Sequence, residues 1–176
     1  MRVNVAGTYQ TKFGELWNQG IEDLLATSSL GALDDAGILP KDVDAIFTGN
    51  MCAGPISSQC NLGGIAAQIL NSSAASTVVE GACASGGLAI RSGIAAIESG
   101  QANVVLVNGV EKLTDVDATI ITKAMMMAAS QEFEAFHGAT FPGLIAMITQ
   151  RYMHKYGLTR QQLAAVPVQS HENALS

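Results

Sequence analysis

Apolar and polar positions along the chain alternate between short β-like runs and stretches with helical spacing. Val3–Ala6 reads as a strand followed by the turn-like Gly7-Thr8. Ile21, Leu24, Leu25, Ala32, Leu33 and Ala36 then recur at helical spacing, with Gly37 placed as the C-terminal cap. After Pro40 and an acidic turn, Ala45–Thr48 gives a second strand. Asn61 suits the cap of a helix running to Leu70, because its side-chain oxygen accepts a free N–H of the first turn. Thr77–Glu80 is β-branched and predicts a third strand. Gly86–Glu98 predicts a helix ended by Gly100, and Val104–Val107 a fourth, wholly apolar strand of the kind buried on both faces. This order implies an α/β fold, a parallel-dominated sheet with helices on both faces.

Past Gly109 the pattern weakens. Lys112–Ala139 has no clean period, holds Met125–Met127, and reads as a lid or binding excursion rather than an ordinary connection. Gly143–Tyr156 predicts a helix stopped by Gly157, and Thr159-x-x-Gln162 is a capping-box signature that opens another. His171–Ser176 is helix-like with no stop signal, so the chain is expected to continue beyond it. Two regions are expected: a core over 1–114 and the start of a loop or substrate-covering region over 115–176.

Composition narrows the classes. With 48% hydrophobic and 14% charged residues, the chain is no disordered or solvating polymer. A net charge of −6 speaks against a nucleic-acid or anionic-membrane surface. No apolar run approaches the roughly 18–20 residues that span a bilayer, and the first residues carry no signal core. A cytoplasmic location is expected. Few charges and 18 glycines suit tight packing and a large contact with another subunit. The three cysteines, Cys52, Cys60 and Cys83, are odd in number and lack a C-x-x-C pair, so neither a disulfide framework nor a metal site is expected.

Cys83 is the most informative residue. It lies between a predicted strand end and a helix start, among small neighbours that let a bulky electrophile approach. Free N–H groups and the dipole at a helix start favour an anion such as a thiolate. The spacing alone leaves two readings open, a nucleophile and a buried structural cysteine. His154 reads as a solvated surface side chain. Arg151, Lys155 and Arg160 read as a solvated helix face, with a ligand's phosphates as the other possibility. Cys52 and Cys60 flank Pro55 in a loop and are assigned no chemistry.

Gly81-Ala-Cys-Ala-Ser-Gly-Gly87 resembles the nucleophile segment of the thiolase superfamily. Gly109-Val-Glu-Lys-Leu-Thr114 resembles the stretch after its fourth strand, with Leu113 in the place of the usual Met. Thr11-Lys-Phe-Gly14, Gly49-Asn-Met51, Gly138-Ala-Thr-Phe-Pro-Gly143 and His171-Glu-Asn-Ala174 resemble the archaeal and bacterial acetyl-CoA acetyltransferase branch, which is similar to the sterol-carrier-protein type of thiolase. The resemblance covers nearly the whole chain.

The resemblance implies one half, the N-terminal one, of the two-half thiolase fold. It implies that Cys83 is acylated by an acyl-CoA thioester and then attacked by the enolate of acetyl-CoA in a Claisen condensation. Coenzyme A thioesters would be substrates, with no covalently bound cofactor. His137 and Phe141 would bind substrate where thiolases line the acyl and pantetheine pocket, against the plainer reading of His137 as a loop side chain. A homodimer or tetramer would form through the third strand and the helix after Asn61, and a partner condensing enzyme is a further possibility. The family's activating histidine, second cysteine and oxyanion-hole groups lie in its second half, so these 176 residues alone are expected to be inactive. The alternatives are a ketoacyl-synthase-like or hydroxymethylglutaryl-CoA-synthase-like condensing enzyme, and a non-catalytic acyl-CoA-binding or scaffold subunit.

Overall fold

The computed structural model of the chain describes residues 2–175. Its sheet has three parallel strands, with β1 (Ala45–Gly49) between β2 (Ala75–Val79) and β3 (Val105–Gly109). The strands end in step, Gly49 pairing with Val79 on one side and Gly109 on the other. Three C-terminal strand ends therefore stand side by side, where open α/β sheets carry their ligands.

Among the described residues the α-helices are α1 (Ile21–Ala36), α2 (Ala53–Ser57), α3 (Leu62–Ile69), α4 (Ser85–Glu98), α5 (Ala118–Met126), α6 (Phe141–Tyr156) and α7 (Arg160–Asn173). Alternation along β1 sends successive side chains to opposite faces. Ile46 is fully buried in a cluster with Leu25 and Leu33 of α1, Leu62 and Ala66 of α3, and Leu106. On this same side Asn108 donates to Ser29 Oγ of α1 at 3.1 Å. Ala45 and Phe47 pack on the other face with Ala96 of α4 and Val105. Helices thus cover both faces, as the alternating pattern implies.

Gly93 sets how closely α4 lies on the sheet. A Cβ there would come within 2.9 Å of Val107 Cγ2 and 3.1 Å of Val105 Cγ1. At Gly86 and Gly87, in the first turn of α4, a Cβ would meet nothing within 4 Å. Gly49 and Gly93 carry the close approach instead.

Val3–Ala6 is not a strand. Val5 is 83% exposed, and the residues that follow, Gly7–Tyr9, make contacts with α1. Thr8 N–H donates to Asp35 Oδ2 at 2.8 Å. A Cβ at Gly7 would lie 2.5 Å from Ala36 N, and one at Gly31 2.5 Å from the Tyr9 ring. Two glycines thus let the segment lie across a helix. The first of the four expected strands, Val3–Ala6, is therefore absent from the sheet of the described residues.

Two short helices replace expected loops. Pro55 sits in the first turn of α2, where a missing N–H costs nothing. Asp117 caps α5 by accepting from Thr119 N at 2.8 Å and Ile120 N at 3.1 Å, giving order to part of the supposed excursion. The chain divides into two compact units, Met1–Ala128 and Ala129–Ser176. The first holds the sheet and α1–α5; the second holds α6 and α7. The helix-like reading of the chain end is met by α7 as far as Asn173, while Ser176 lies outside the described residues.

Candidate active site

β2 ends at Val79 and α4 begins at Ser85, so only five residues turn the chain from strand to helix. Ala82 takes a left-handed conformation at φ 50°. A side-chain-bearing residue rarely adopts this region, at a cost of roughly 1–2 kcal/mol. The turn is braced from both ends. Ala82 N–H donates to Glu80 Oε1 at 2.6 Å. Ser85 Oγ accepts from Gly81 N–H at 3.0 Å and donates to the Ala82 carbonyl at 2.7 Å. Ser85 is only 5% exposed, so this brace is sheltered from water. Cys83 follows the strained residue, and its thiol is exposed ahead of the first turn of α4. Strain of this kind at a turn that presents a side chain is a mark of functional sites.

The turn is seated on the end of β1. A Cβ at Gly49 would fall 2.9 Å from Gly86 N and equally near the Ser85 carbonyl. Asn50 N–H donates to the Val79 carbonyl at 3.3 Å, continuing the ladder one residue past the strand.

The next residues after β1 and β3 are tied to each other. Asn50 Nδ2 donates to the Val110 carbonyl at 2.7 Å, while its Oδ1 accepts from Ala53 N at 3.1 Å. Glu111 Oε1 accepts from Met51 N–H at 2.6 Å and Cys52 N–H at 3.1 Å. Lys112 is 5% exposed and is satisfied by Thr114 Oγ1 at 2.9 Å and Asp115 Oδ1 at 2.5 Å. Its ammonium also lies 5.8 Å from the centre of the Trp17 ring.

The three thiols stand in different surroundings. Cys60 and Cys83 are exposed, and Cys52 is buried. Burial pushes the Cys52 thiol up to about 11, and the charges of Glu111 and Glu80 add to the effect. At neutral pH Cys52 is a neutral thiol beside an exposed one.

His137 and Phe141 lie in the second unit, whereas Cys83 lies in the first. His137 is exposed at the end of a single helical turn, its ring edge-on to Phe136 at 5.3 Å. Phe141 is half-buried as the first residue of α6, whose cap is Thr140 Oγ1 accepting from Gly143 N at 3.2 Å. His154 and His171 are exposed on α6 and α7, as are Arg151, Lys155 and Arg160. Met126 is buried in α5 and Met127 is 59% exposed. Sequence reasoning missed Ala82, Asn50 and Glu111. Glu111 had a signal, since it sits in the quoted Gly109-Val-Glu-Lys stretch; the conformation of Ala82 had none. Among the described residues no helix is long and apolar enough to cross a membrane.

Comparisons with known proteins give a family from sequence and a fold from structure. The profile of the thiolase N-terminal domain family matches residues 3–176. The chain is 49% identical to the acetyl-CoA acetyltransferase of Methanothermobacter thermautotrophicus, over 98% of this chain and 45% of that protein. It is 47% identical to the acetyl-CoA acetyltransferase of Methanocaldococcus jannaschii, over 98% of this chain and 44% of that one. It thus spans just under half the length of these curated relatives. The solved acetyl-CoA acetyltransferase of Syntrophomonas wolfei superposes with a TM-score of 0.76 at 23% identity, over 97% of this chain and 46% of that chain, which supports the same fold. With the sheet, the helix layers and the profile in accord, the chain belongs to the thiolase family, as its N-terminal domain.

Proposed function

We propose that this chain is the nucleophile-bearing half of an acetyl-CoA C-acyltransferase. The observation that supports it best is the exposed Cys83 thiol on a strained turn at the head of α4, beside a buried and neutral Cys52. In this reading Cys83 Sγ attacks the carbonyl carbon of an acyl-CoA thioester. A new carbon–sulfur bond forms, the old one breaks, and coenzyme A leaves as its thiol. The acyl group waits on Cys83 until the enolate of acetyl-CoA attacks it, forming a carbon–carbon bond and releasing the cysteine. Thiolysis is the reverse. His137 and Phe141 bind the acyl or pantetheine end, in a cytoplasmic enzyme of acyl-chain metabolism.

Assembly belongs to the same proposal. β2 is an edge strand with Ala75 and Thr77 exposed, next to α3. An edge strand offers unpaired N–H and C=O groups to another chain. A homodimer formed through β2 and α3 would cover it.

One observation favours a second reading, a non-catalytic acyl-CoA-binding subunit. The chain's three histidines, 137, 154 and 171, all lie in the second unit, so none shares a unit with Cys83. The two readings part at the first chemical step. The protein is incubated with acetyl-CoA, then digested and analysed by mass spectrometry. An acetyl group on the Cys83 peptide, absent in Cys83→Ala, supports the transferase. Bound acetyl-CoA with no acetylated Cys83 supports the binding subunit.

A further inference from the structure

We propose that Glu111 is a positioning residue for the Cys83 thiol. Its carboxylate grips the main chain after β1, and that main chain is the seat of the strained turn that presents the cysteine. The proposal rests on the reading of Cys83 as the nucleophile.

The argument follows three strand ends. Glu111 stands two residues beyond β3 and reaches across to β1, where Oε1 accepts from Met51 N–H at 2.6 Å and from Cys52 N–H at 3.1 Å, and Oε2 from Cys52 N–H at 3.3 Å. These are charge-assisted bonds, roughly twice as strong as neutral ones. Asn50 makes the return link, donating to the Val110 carbonyl at 2.7 Å. The two loops are therefore joined in both directions, through side chain and main chain. Immediately before this clamp, Gly49 touches the backbone of Ser85 and Gly86, and Asn50 N–H bonds to Val79. Any movement of residues 49–52 is felt by the turn over 80–85.

The clamp has little else to explain it. Glu111 is exposed, and no cation is within salt-bridge distance of it among the described residues. Its carboxylate is spent on two consecutive N–H groups that precede α2, a helix of only five residues. The acidic groups that act on Cys52 are Glu111 and Glu80, one from each flanking loop, and both favour its neutral form.

A charge effect and a positioning effect are separable. Gln at 111 keeps a carbonyl oxygen able to accept both N–H bonds while removing the charge; Ala removes both. The rate of Cys83 alkylation by iodoacetamide is measured against pH in the full chain, with exposed Cys60 in the same molecule as reference. At the high-pH plateau the thiolate is fully formed, so the plateau reports attack geometry and not ionisation. Displacement of a reacting group by even about 1 Å costs up to about 100-fold. The expected result is a plateau ratio of Cys83 to Cys60 about tenfold lower in Glu111→Ala, largely restored in Glu111→Gln, with thermal unfolding of Glu111→Gln close to the parent. An unchanged ratio in Glu111→Ala, or no recovery in a folded Glu111→Gln, overturns the proposal. A parent protein whose Cys83 is no faster than Cys60 overturns the nucleophile reading instead, a separate result.

Discussion

Ala82 donates its N–H to Glu80 Oε1 at 2.6 Å while holding a left-handed φ of 50°. The carboxylate therefore fixes in place a backbone conformation that alanine resists. Replacing Ala82 with Gly removes the steric cost, about 1–2 kcal/mol, against about 0.4–1 kcal/mol of added freedom in the unfolded chain. Urea unfolding of Ala82→Gly is expected to show no loss of stability and a gain of up to about 1.6 kcal/mol. A clear loss would mean that the left-handed conformation carries no strain.

Gly49 and Gly86 face each other but differ in what a side chain would meet. At Gly49 the added Cβ would lie 2.9 Å from backbone atoms of Ser85 and Gly86, which no rotamer change relieves. Gly49→Ala is expected to cost about 1–3 kcal/mol, the range for overpacking, and to slow Cys83 alkylation by tilting the head of α4. At Gly86 the added Cβ meets nothing within 4 Å, and helix propensity favours Ala by about 1 kcal/mol. Paired unfolding curves check the contrast, and equal effects at the two positions would contradict it.

Asp44 ties the start of β1 to the approach of β3. Its Oδ2 accepts from Asn103 N at 2.7 Å and Val104 N at 3.0 Å. The bonds from Val104 and Asn103 hold its carboxyl below the usual aspartate value. The stability it contributes is present above the ordinary carboxylate range and is lost as pH falls through its lowered value in the folded state. Thermal unfolding followed from neutral pH into the acid range should therefore fall less steeply for Asp44→Asn than for the parent. Identical slopes would remove Asp44 from the account of acid stability.

Much of this architecture is legible in the sequence, and the misses have physical causes. β1 and α4 follow from local periodicity, and the capping box at Thr159 and Gln162 is found as read, with Thr159 N–H donating to Gln162 Oε1 at 2.9 Å. Val3–Ala6 fails because a short apolar run states only that the chain is extended. Whether it joins a sheet is a tertiary matter, and the residues just after it, Gly7 and Tyr9, lie close against Ala36 and Gly31 of α1. The turn at Cys83 is legible as a strand-to-helix junction, but the conformation of Ala82 is not, since alanine carries no bias towards it. The link from Glu111 to Met51 spans 60 residues, beyond the reach of any local pattern.

Turnover should be absent from the 176 residues by themselves. General acid–base help contributes about 10²–10⁴-fold, and no histidine shares the first unit with Cys83. Loss of the acetoacetyl-CoA enolate absorbance is the assay, with Cys83→Ala as control. The expected trace is flat after at most one equivalent. Repeated turnovers that vanish in Cys83→Ala would show that the chain supplies its own base, with His137 the first residue to replace.

The central claim is that Cys83, and neither Cys52 nor Cys60, is the chemically competent thiol. Native-state labelling with limiting iodoacetamide at neutral pH, followed by peptide mapping, tests it most directly. Cys52 is 2% exposed and its thiol is held up at about 11, so it should stay unlabelled until the protein unfolds. The account predicts that Cys83 is modified first, ahead of Cys60, which is also exposed, and that acetyl-CoA slows modification of Cys83 without slowing that of Cys60. Preferential labelling of Cys60 or Cys52, with Cys83 inert and indifferent to acetyl-CoA, would contradict it.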